Sequence, residues 1–74
     1  MKFEGKAYYN GTWDKVAIFA EKEFNEYNIA IYPFDEAGDV KFDSHHLQRD
    51  EGFHTYAQLV RFLQTHYLEL KRVE

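Results

Sequence analysis

The sequence predicts an α+β domain in which an antiparallel sheet of three to four strands carries one C-terminal helix packed across one face. Three observations lead there. Polar and apolar residues alternate over Lys2–Ala7 ahead of an Asn10-Gly11 pair, an apolar stripe of helical period runs over residues 55–72, and the chain is short. At 74 residues, 45% hydrophobic and 30% charged, it can fold around a single core but not two. The expected organisation is one domain over 1–74, with a hairpin at 2–20, strands near 27–34 and 40–43, and a helix near 55–72.

Lys2 to Ala7 alternates with period two, as a strand buried on one side does. Asn10-Gly11 then favours a type I′ turn, which needs positive φ at both central residues. The returning strand runs from Thr12 to about Ala20. A two-residue turn fixes the register, so Tyr8 opposes Trp13, Lys6 opposes Lys15, Gly5 opposes Val16 and Phe3 opposes Ile18. Opposed residues share a face. Phe3, Gly5, Ala7, Val16 and Ile18 therefore form the core face. Lys2, Lys6, Tyr8, Trp13, Lys15, Ala17 and Phe19 occupy the other.

Residues 21–26 read as a polar connection with Phe24 embedded in it. Tyr27 to Phe34 reads as a third strand, Ile29 and Ile31 on one face and Ala30, Tyr32 and Phe34 on the other. Pro33 falls near its end, where a missing N–H is tolerable. Residues 35–39 form a turn cluster, and 40–43 a short edge strand. Residues 44–52 admit either a short helix capped by Ser44 or a continued strand. Thr55-Tyr56-Ala57-Gln58 matches the capping box, in which a hydroxyl and a Gln three positions on satisfy helix-end amides. At 100° per residue, Tyr56, Leu59, Val60, Leu63, Tyr67 and Leu70 share a stripe about 100° wide. Gln58, Arg61, Thr65, Glu69 and Arg72 fall opposite, with Glu69 and Arg72 spaced as a helical ion pair.

Composition limits function. With no Cys there is no disulfide framework, thiolate metal site or thiol catalysis. No apolar run approaches the length of a membrane span, and the start lacks the pattern of a signal peptide, so a cytoplasmic protein is expected. The net charge of −4 argues against general nucleic-acid or anionic-membrane binding. His45, His46, His54 and His66 lack the spacing of zinc ligands, and Asp35, Glu36, Asp39, Asp43, Asp50 and Glu51 form no calcium loop. Those carboxylates read as a solvated rim, with phosphate mimicry the sharper alternative. No nucleophile elbow surrounds Ser44, the one serine, and the four glycines are scattered, so neither an enzyme nor a cofactor is expected.

The face turned from the helix is the candidate site. Seven Phe, six Tyr and one Trp are many rings for so small a core, and the register sets Tyr8, Trp13 and Phe19 outward, with Tyr32 joining from the third strand. Lys6 and Lys15 lie between them as a like-charge cross-strand pair, a local conflict expected where a surface serves binding. Residues 1–20 sum to +1 and the remainder to −5. Aromatic anchors within a charged surround compose a protein–protein hot spot. The expected partner is another protein, a second copy or something larger that the module modulates or inhibits. Single-stranded nucleic acid stacking on the same rings is the alternative, and a purely structural cross-strand pair is the plain one.

Overall fold

Asn10 and Gly11 both take positive φ (50° and 85°), and the strands they join pair in the register the two-residue turn dictates. The computed structural model of the chain describes residues 1–44 and 47–74, and of 47–51 the backbone alone. β1 (Lys2–Tyr9) and β2 (Thr12–Glu23) form this first hairpin. Its second strand continues past Ala20, because residues 21–26 are not a connection. Phe24 and Asn25, with φ of 51° and 66°, make a second two-residue turn, and Glu23 opposes Glu26 at the start of β3 (Glu26–Pro33). A phenylalanine in the left-handed region costs about 1–2 kcal/mol relative to residues that tolerate it, and Phe24 is 91% exposed, so burial does not offset that cost. Phe24→Asn is therefore expected to raise the melting temperature by about 4 °C in a domain this small, readable by thermal circular dichroism.

Two further expectations change. Residues 40–43 are not a strand. The Asp35 carboxylate accepts from the amides of Ala37 and Asp39 (3.0 and 2.9 Å), and the loop folds back so that Val40 forms one bridge with Phe34 and the Lys41 amide donates to the Pro33 carbonyl at 2.9 Å. The fourth strand is instead β4 (Leu47–Phe53), paired antiparallel to β3. Of the two readings of 44–52, the strand holds for 47–52.

The helix is shorter than its stripe. α1 (Tyr56–His66) begins at the capping box: the Gln58 amide donates to Thr55 Oγ1 (3.1 Å), and Gln58 Oε1 accepts from the Thr55 amide (3.3 Å). It stops at Tyr67, whose extended backbone still donates to the Leu63 carbonyl at 2.9 Å. Leu68–Arg72 is a fifth strand, β5, antiparallel to the outer edge of β1. Over so short a stretch an apolar pattern suits either period, and pairing satisfies β1 edge amides and carbonyls that a longer helix would leave to water. Glu69 and Arg72 are thus strand residues and form no helical pair.

The sheet order is β4-β3-β2-β1-β5, five strands rather than three or four. α1 links the two edge strands. Eleven residues of helix reach about 16 Å, close to the roughly 19 Å spanned by five strands. Leu59 and Leu63 are fully buried in one cluster with Phe3, Val16, Ile18, Ile29 and Ile31. Phe3, Val16 and Ile18 of the predicted core face are thus all buried, with Ala7 partly buried against the same cluster. Gly5 allows a close approach there: a Cβ would lie 3.1 Å from the Leu68 carbonyl and 3.4 Å from Tyr67 Cβ. The glycine thus accommodates the helix end and the start of β5. Tyr56, placed in the apolar stripe, is exposed and takes a weak hydrogen bond from the Arg72 guanidinium at 3.4 Å.

Candidate functional site

Because side chains alternate along a strand, the second face of the hairpin displays what the first does not bury. At its tip Tyr8 and Trp13 stand opposite one another, their ring centroids 5.3 Å apart in an edge-on arrangement. They are 63% and 46% exposed. The β1–β2 register sets the pair side by side, and each ring keeps a large part of its surface open to water.

Below the tip come the lysines. Lys6 does oppose Lys15, but the conflict is relieved. Lys6 Nζ lies 2.8 Å from Glu69 Oε2, and Lys15 Nζ lies 3.5 Å from Glu4 Oε1 and 4.7 Å from the Phe34 ring centre. Glu69 reaches Lys6 because it is the bulged residue of β5, with φ of 52° where the β1–β5 register shifts. The hydrogen bond from Lys6, and then its charge, hold the Glu69 carboxyl below its ordinary value of 4.5. A lowered folded-state pKa contributes stability above the ordinary carboxylate range, lost as pH falls through the folded value. Glu69→Gln is accordingly expected to destabilise near neutral pH and to match the wild type once Glu69 is protonated. Denaturant titrations at the two pH values measure the difference.

Further along β2, Phe19 meets Tyr32 of β3 at 5.8 Å, and both meet Phe42, at 5.6 and 5.1 Å. Lys2 Nζ stands 5.6 Å from the centre of the Phe19 ring. Phe42 was not singled out from the sequence, yet at 62% exposure it is the most exposed ring of this cluster. The signal for it was faint: a lone apolar residue amid Lys41, Asp43 and Ser44, following a turn that returns over β3.

The six candidate residues therefore share one face but not one patch. Trp13 and Phe19 are six residues apart on β2, roughly 20 Å. Tyr8–Trp13 makes one aromatic group, Phe19–Tyr32–Phe42 a second, and the Lys6–Glu69 and Lys15–Glu4 pairs lie between. Ala17, opposite Tyr32 and Glu4, is fully buried despite facing this way.

The remaining polar candidates are dispersed. His54 Nδ1 lies 3.3 Å from the Asn25 carbonyl, and the His66 ring meets Phe62 in a tilted contact with centroids 4.4 Å apart; His45 and His46 lie outside the described residues. Among the described residues no three His, Asp or Glu side chains are grouped to hold a metal ion, and no helix is long and apolar enough to cross a membrane. No family model, curated protein or solved structure matches the chain.

Proposed function

We propose that this chain is a small non-enzymatic protein-binding module of the cytoplasm, one that modulates a larger partner or a second copy. In this reading α1 packs across the core face and leaves the opposite face open for contact. Trp13 and Tyr8 anchor one end, Phe19 and Tyr32 the other with Phe42 beside them, and Lys6 and Lys15 form the polar surround between. The observation that carries the reading is the exposure of Tyr8, Trp13 and Phe42 on a face where each ring is already fixed by a neighbour. Rings held in one geometry lose little entropy on binding, which is what makes aromatic residues effective anchors.

Single-stranded nucleic acid would use the same rings. The lysine pairing favours protein, because a phosphate would have to displace Glu69 from Lys6 and Glu4 from Lys15. The immobilised chain, exposed to an extract of its source cells, is expected to retain protein through a high-salt wash. Retention of nucleic acid that salt releases would contradict the reading, since phosphate binding weakens steeply with salt.

A further inference from the structure

Beside the Phe19–Tyr32–Phe42 cluster the outer face is hollowed into a groove of about 350 Å³. One wall is aromatic, formed by these three rings. Glu21 and Glu23, alternate residues of β2, supply the other with Asn28, which opposes Glu21 on β3. Both carboxylates are exposed, and among the described residues neither makes an ion pair. Lys2 lines the neighbouring hollow and already sets its ammonium near the Phe19 ring.

We propose that this groove receives an arginine side chain from a basic segment of the partner protein. The inference rests on the reading of the chain as a protein-binding module and names the chemistry of what it binds. A guanidinium is planar and weakly hydrated, so it stacks on a ring face while its edge donates to carboxylates. The groove offers both at once, with the exposed Phe42 ring on one side and Glu21 and Glu23 on the other. An anion meets two carboxylates that the single ammonium of Lys2, in the neighbouring hollow, does not offset, and a neutral apolar group would desolvate them unpaired, which is costly. The net charge of −4 on the whole chain favours the approach of a cationic partner.

The test titrates the full isotope-labelled chain, at low salt, with an end-capped Gly-Gly-Arg-Gly-Gly peptide. The same peptide with citrulline, isosteric but uncharged, is run in parallel. Saturable shifts at Phe19, Asn28, Tyr32 and Phe42 are expected with arginine, and binding about tenfold weaker with citrulline, the loss expected for one charge-assisted contact. Glu21→Gln/Glu23→Gln, which changes only exposed groups, is expected to weaken arginine binding about as much while leaving the Tyr8–Trp13 circular dichroism intact. Equal binding of the two peptides, shifts centred elsewhere, or no shifts at all overturn the proposal. Any of these with protein capture still lost in Trp13→Ala removes the arginine specificity alone. Capture that survives Trp13→Ala removes the reading on which it rests.

Discussion

Leu63→Ala is expected to destabilise the chain by about 3–5 kcal/mol, the range for a leucine removed from a packed core. Leu63 is fully exposed to neither solvent nor edge: its relative accessibility is 0%, and with Leu59 it supplies the fully buried helical contribution to a cluster otherwise built from strand residues and Tyr67. A domain of this size without disulfides seldom holds more than about 3–5 kcal/mol in total. The variant should therefore be largely unfolded at room temperature, with collapsed amide dispersion and no cooperative thermal transition. Leu68→Ala serves as the control. Leu68 is half-exposed on β5, and a surface truncation of this kind usually changes stability by less than about 1 kcal/mol. Similar stabilities for the two variants would mean that the helix does not complete the core.

Trp13→Ala should show the opposite profile. The indole is half-exposed, and its stabilising contact is the edge-on pairing with Tyr8, so the fold is expected to lose only about 0.5–1.5 kcal/mol. Partner binding is expected to fall far more, by at least about 2 kcal/mol, or roughly thirtyfold, as for a hot-spot aromatic. The two effects are measured on one sample by denaturant unfolding and by binding to the captured protein. A variant that loses more stability than affinity would reduce Tyr8–Trp13 to a structural pair.

What the sequence revealed and what it hid follow from how local each determinant is. Asn10-Gly11 specifies its turn by itself, so the hairpin register, its core face and the Tyr8–Trp13 pair were all legible. Thr55 and Gln58 likewise fix the helix start by contacts within four residues. Phe24-Asn25 carries no such signal, since a phenylalanine rarely adopts positive φ, and the second hairpin is imposed by the pairing of β2 with β3. The helix end was obscured because Tyr67, Leu68 and Leu70 suit two periods, and only the unpaired edge of β1 decides between them. That choice propagates into the site. Without β5 there is no Glu69 beside Lys6, so two lysines that looked unbalanced are balanced by residues distant in sequence or on the adjacent strand. Phe42 was hidden for a similar reason: its neighbours Phe19 and Tyr32 are brought to it by a loop whose course depends on the Asp35 turn.

Hydroxyl-radical footprinting of the chain, alone and with its captured protein, tests the contact face most directly, because the exposed rings report on their own burial. Protection is predicted at Tyr8, Trp13, Phe19 and Phe42, with Tyr56 on the helix and Phe24 at the second turn reacting as before. Protection of Tyr56 or Phe24 while Trp13 and Phe42 remain fully reactive would place the partner on another surface and contradict the account.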